Sequence, residues 1–146
     1  MNIAIISKDL ELDIFGFEAI ATNKDYVGTA LTLSGKMWEV VKAQGLKNKG
    51  LNIWVYETAN KVFAGVELEN PADDYMYGLQ KKKIILEKYA YYKHIGPYNL
   101  IKQKGQDMTN QLTIEGYEVT LPYIEIYGHW TNDETKLETE LFMSLK

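Results

Sequence analysis

The sequence predicts an α+β fold: a β-α-β-β module written twice, making one antiparallel sheet that carries two helices about a pseudo-twofold axis, with a pocket at the seam. Three observations predict it. Residues recur in kind at an offset of 71: Val27, Ala30, Ser34, Met37 and Val41 against Tyr98, Ile101, Gly105, Met108 and Leu112, then Gly45 against Gly116, and Ile53, Val55 and Tyr56 against Ile124, Ile126 and Tyr127. The first five positions of each set follow the three-and-four spacing of one helical face. The intervening segments are rich in branched and aromatic residues, as strands are.

In chain order, Leu10 to Thr22 reads as a strand. A helix follows, capped by Asp25 and ended at Gly45, where glycine takes the left-handed conformation. Leu51 to Glu57 and Val62 to Leu68 form a hairpin around Ala59-Asn60. Asn70-Pro71-Ala72-Asp73-Asp74 links the halves, so the 146 residues form a single domain with repeats at about 1–69 and 75–146. Ile84 to His94 is the strand that opens the second half. Pro97 begins its helix, which stops at Gly116. Val119 to Trp130 and Leu137 to Leu145 close the chain around a Thr131-Asn132-Asp133-Glu134 turn. Ser34 and Gly105 are the small residues at mid-helix, where a backbone or ligand can come close.

Composition narrows the function classes. The net charge is −4, and the only dense basic cluster is Lys81-Lys82-Lys83, which reads as solvated; direct nucleic-acid binding is not expected. The absence of cysteine excludes disulfides, thiolate metal sites and a cysteine nucleophile. No run approaches a membrane span, and Met1 to Asp9 lacks the features of a signal peptide, so the expected location is the cytoplasm. His94 and His129 lack further ligands for a metal, no Walker loop or dinucleotide fingerprint is present, and Ser34-Gly35 is no nucleophile elbow. No metal or other cofactor is expected. Aromatic content points elsewhere: 11 Tyr and 3 Trp beside 4 Phe suit a surface that is both greasy and wet.

The candidate site is Tyr123-Ile124-Glu125-Ile126-Tyr127. Strand alternation puts Tyr123, Glu125 and Tyr127 on one face. Glu125 is the only carboxylate between Glu118 and Asp133. The 71-residue offset sets Trp54 opposite Glu125 and Tyr56 opposite Tyr127, and Trp38 is placed to add a wall from the first helix. Aromatic faces around one carboxylate form a receptor for an amphipathic, flat organic cation. Spacing alone also allows the plainer arrangement, with Glu125 facing solvent and Trp38, Trp54, Phe15, Phe17 and Phe63 in the core. An acid–base pair of Glu125 with Tyr127 or Tyr56 stays open as well.

Two motifs in this order, His94-x-Gly96-Pro97-Tyr98 closing a strand and Glu125-Ile126-Tyr127 downstream, together with the doubled layout, resemble the GyrI-like effector-binding family, which includes ligand-binding domains of AraC-type and MerR-type multidrug regulators. The resemblance covers essentially the whole chain. It implies that Glu125 meets positively charged ligands, and that the chain is a stand-alone effector-binding domain without the helix-turn-helix of the regulators. It also implies two alternatives: a hydrolase of strained electrophilic toxins with Glu125 as general base, and a protein-interaction module of gyrase-inhibitor type.

Overall fold

The computed structural model describes residues 1–71 and 77–146. Its elements are β1 (Ala4–Ile6), β2 (Leu10–Ile20), α1 (Tyr26–Ala43), β3 (Asn52–Tyr56), β4 (Lys61–Val66), β5 (Gln80–Leu86), β6 (Tyr89–Ile95), α2 (Ile101–Ile114), β7 (Val119–Tyr127) and β8 (Glu138–Leu145). The strands form one antiparallel sheet in the order β1-β6-β8-β7-β3-β4-β2-β5. That order is the same read from either end once the halves are exchanged, so the pseudo-twofold axis passes between β7 and β3.

The predicted duplication therefore holds, with one strand more in each half. Ala4–Ile6 was not expected as a strand, and the single strand read over Ile84 to His94 is two, β5 and β6, separated by Glu87-Lys88. This turn contains no Gly, Pro, Asn or Asp, so the branched and aromatic run conceals it. The added strands are exchanged: β1 pairs with β6 of the other half, and β5 with β2. Each half thus completes the other's sheet. Of the expected linker, Ala72, Asp73 and Asp74 lie outside the described residues, as does position 75, where the second repeat was taken to begin.

Local signals act as anticipated at most boundaries. Asp25 Oδ1 accepts from the Gly28 N–H at 3.0 Å, capping α1. Gly45 and Gly116 follow the helices with φ of 59° and 90°. Ala59 and Asn60 both have positive φ, as the central residues of a tight hairpin turn require. At α2, Pro97 precedes a single 3-10 turn, Tyr98–Leu100, and the α-helix starts at Ile101.

Both helices lie on the same side of the sheet. Met37 and Val41 of α1 pack on Phe15 and Val66, while Ile101, Met108 and Leu112 of α2 pack on Ala90 and Leu141. Each such buried side chain contributes about 1.5–3 kcal/mol. Among the described residues no helix covers the other side, yet Leu12, Ile14, Ile53, Val55, Phe63 and Ile124 are buried there in one cluster. The sheet must curl over this face and fill the concavity with its own side chains. The helices sit on the convex side, one over each half, and leave a gap between them above β3 and β7. Val27 and Tyr98, expected on the buried helix faces, instead line that gap and are exposed.

Gly35 supplies a check on α1. It lies inside the helix with no atom within 4 Å of the place a Cβ would take. Gly35→Ala is expected to stabilise the fold by about 0.5–1 kcal/mol in urea denaturation, since alanine restricts the unfolded chain without meeting anything in the folded one.

Candidate ligand-binding cleft

The gap between the helices is a cleft of about 1380 Å³. Its floor is the central pair of strands, where β3 and β7 run antiparallel with Trp54 directly across from Glu125, Tyr56 across from Tyr123, and Asn52 across from Tyr127. Alternation turns Asn52, Trp54 and Tyr56, with Tyr123, Glu125 and Tyr127, toward the helices, while Ile53, Val55, Ile124 and Ile126 go to the concave core. Sequence reasoning set Tyr56 opposite Tyr127; the register corrects this. The 71-residue offset gives symmetry mates, and in an antiparallel pair mates face each other only at the axis, which falls on Trp54 and Glu125.

Glu125 is 7% exposed, and three phenols converge on it. Tyr127 donates to Oε1 at 2.7 Å, Tyr123 to Oε2 at 2.8 Å, and Tyr56 to Oε1 at 3.3 Å. Among the described residues no lysine, arginine or histidine forms an ion pair with it. Burial raises its pKa above the usual carboxylate value, and the three phenol hydrogen bonds pull the other way. The phenols are all pushed up, first by their own burial and then by the neighbouring Glu125, so they remain donors at neutral pH. The result is a nearly dry carboxylate without a counter-ion among the described residues.

Rings wall this group. Tyr56 stacks on Tyr123 at 5.7 Å between centroids, Trp54 lies tilted at 4.6 Å from Tyr127, and Tyr98 meets Tyr127 edge-on at 5.4 Å. The indole N–H of Trp54 is buried with no hydrogen-bond partner among the described residues, a shortfall of about 1–3 kcal/mol. Higher up, Val27 and Leu31 of α1 and Trp130, which is 75% exposed, give the cleft an apolar mouth.

Of the anticipated site residues, Glu125, Trp54, Tyr56, Tyr123 and Tyr127 line the cleft together. Trp38 does not. Its ring packs beside Met37 and Val41, and it touches the site only through a hydrogen bond from Nε1 to Asn52 Oδ1. One step along a helix is a rotation of about 100°, which takes Trp38 away from the seam. Asn52, Tyr98 and Trp130 are additional lining residues that the sequence reading did not single out for the site. Tyr98 was in view as the symmetry mate of Val27, and both face the cleft. Gly105 also lines it, and a Cβ there would stand 3.7 Å from the Tyr123 hydroxyl.

His94 is 2% exposed, with Nε2 3.0 Å from the Pro97 carbonyl oxygen; that oxygen only accepts, so this nitrogen carries the proton. The bond spans the turn that leads into the second helix. Among the described residues no group of three or more His, Asp or Glu side chains lies close enough to hold a metal ion, and no helix is long and apolar enough to cross a membrane.

Comparison with solved structures adds the fold's relatives. The chain superposes on the EcmrR C-terminal domain with a TM-score of 0.72 and 18% identity, covering 99% of this chain and 97% of that one. The fold is that of the GyrI-like effector-binding domains. The same GyrI-like fold spans 57% of the EcmrR chain in its complex with DNA. It recurs in SAV2435 bound to tetraphenylphosphonium, with a TM-score of 0.67, 18% identity, and 100% and 94% of the two chains covered. A hydrolase from Listeria innocua shares it at a TM-score of 0.56 and 11% identity, with 99% and 91% covered. No protein-family model matches the sequence, and no curated protein does.

Proposed function

We propose that this chain binds amphipathic organic cations in the cleft, with Glu125 as their counter-ion. One observation carries the reading: a buried carboxylate, held by three phenol donors and lacking any cationic partner among the described residues, forms the floor of an aromatic cleft. A cation placed above it regains the Coulomb attraction the protein leaves unmet. Each aromatic face it contacts adds about 0.5–2 kcal/mol. A small metal ion would need more oxygen ligands than one carboxylate supplies. The apolar mouth receives the rest of an amphiphile. Because ring contacts are weakly directional, selectivity among such cations is broad. The GyrI-like neighbour carrying tetraphenylphosphonium, a lipophilic cation, supports this reading.

The test is a titration of the chain with tetraphenylphosphonium, read by tryptophan fluorescence, with triphenylphosphine oxide as a neutral counterpart of similar bulk. Saturable quenching by the cation and none by the oxide is the expected outcome. Equal response to both would remove charge from the recognition.

A second reading, hydrolysis of strained electrophiles with Glu125 as base, draws on its raised basicity and on the Listeria innocua hydrolase of the same fold. Against it, both carboxylate oxygens are already engaged by phenols. Glu125-dependent turnover of a reactive cyclopropane-bearing compound would favour it over binding alone.

A further inference from the structure

The two halves of the cleft floor are symmetric in place but opposite in chemistry. The axis equates Asn52, Trp54 and Tyr56 of β3 with Tyr123, Glu125 and Tyr127 of β7. The β7 half presents a carboxylate, an acceptor. The β3 half presents an N–H donor, the amide of Asn52.

Asn52 is held in one orientation. Trp38 Nε1 and Ser34 Oγ both donate to its Oδ1, the latter at 3.0 Å. An indole N–H can only donate, so the amide atom facing it must be the oxygen, and the flip of the amide is fixed. Its Nδ2, on the opposite corner of the amide, carries two hydrogens that no protein group accepts among the described residues, and Asn52 lines the cleft. Next on the same face, the Trp54 N–H also lacks an acceptor among the described residues, but it is wholly buried and is not offered to the cleft. Among the described residues, the Asn52 amide thus brings a donor without an acceptor to the cleft beside Glu125, a buried carboxylate without an ion-pair partner. Asn52 is diagonal to Glu125 across the strand pair, about 7–8 Å away, within the span of one small molecule.

We propose that the cleft recognises a second feature of its ligand besides positive charge: a neutral hydrogen-bond acceptor, a carbonyl or ether oxygen, that takes a hydrogen from Asn52 Nδ2. The preferred ligands are then cations bearing such an oxygen a few bonds from the charge, rather than all-hydrocarbon cations. This inference rests on the cation reading above. Trp38 and Ser34 are positioning residues in it: they aim the amide and do not touch the ligand.

The experiment uses the whole chain and a matched pair of quaternary ammonium ions, benzyldimethylphenacylammonium and benzyldimethyl(2-phenylethyl)ammonium, which differ only by a carbonyl in place of a methylene. Titration calorimetry on the wild type is expected to show the ketone bound more tightly by about fivefold, the scale of one net hydrogen bond. Asn52→Asp keeps an oxygen for Trp38 and Ser34 and removes the donor. It is expected to abolish or reverse the preference while still binding the 2-phenylethyl compound. Equal affinity of the wild type for the two compounds, or an unchanged preference in Asn52→Asp, overturns the donor assignment and leaves the cation reading standing. Failure of both compounds to bind, or binding of both that is indifferent to Glu125→Gln, overturns the two together. The wild-type ratio decides even if the variant does not fold.

Discussion

Glu125→Gln is expected to weaken tetraphenylphosphonium binding by at least tenfold, about 1.4 kcal/mol, while leaving the shape of the cleft unchanged. Glutamine matches glutamate in size and keeps an oxygen for the phenols, so the loss isolates charge. The same substitution is expected to stabilise the unliganded chain at neutral pH, because the native carboxylate is buried without a counter-ion. The pH dependence has a definite sign. Burial raises the Glu125 pKa in the folded state, so the folded chain holds this proton to higher pH than the unfolded one. Stability from this group is complete below the ordinary carboxylate pKa and is lost as pH rises through the raised folded value. Thermal melts of wild type and Glu125→Gln should therefore converge in acid and diverge above it, the variant melting higher. Cation affinity of the wild type should climb over the same interval as the carboxylate ionises, and that of the variant should stay flat. Identical melting curves from acid to neutral pH would mean that Glu125 is not desolvated.

Gly16→Val is expected to cost about 3 kcal/mol or more, a large fraction of the stability of a small domain. A Cβ at Gly16 would stand 1.9 Å from the Ala64 carbonyl oxygen and 2.7 Å from the Gly65 Cα, and Gly65 is its cross-strand partner. These neighbours are backbone and cannot rotate aside. Nor can β2 shift laterally, because at Gly16 it is paired on both sides, with β4 through Gly65 and with β5 through Gln80. Alternation runs unbroken through this residue, but the face it buries changes here. Leu12 and Ile14 enter the concave core, whereas Phe15, next in sequence, packs under α1. The close glycine pair sits where the strand changes the face it buries. Urea midpoints give the comparison, with Gly35→Ala moving in the opposite direction. A Gly16→Val midpoint within experimental error of the wild type would refute the close approach.

What the sequence determined by itself is periodic or local. Strand alternation put Tyr123, Glu125 and Tyr127 on one face, because a period of two depends only on the chain's own geometry. Asp25, Gly45 and Gly116 marked helix ends through bonds and dihedrals within a few residues. The repeat paired Trp54 with Glu125, and this held because the axis happens to fall between them. Tertiary structure alone decided where that axis lies, and hence that Tyr56 faces Tyr123. It decided that β1 and β5 cross to the opposite halves, since strand exchange costs nothing that a hydrophobic pattern records. It brought a third phenol onto Glu125, sent Trp38 behind Asn52 instead of into the cleft, and left the donors of Asn52 and Trp54 without acceptors among the described residues. Each of these is a meeting of side chains from segments far apart in the chain. Such meetings depend on how the sheet curls and where the helices stop short of each other, which no spacing along a single segment specifies.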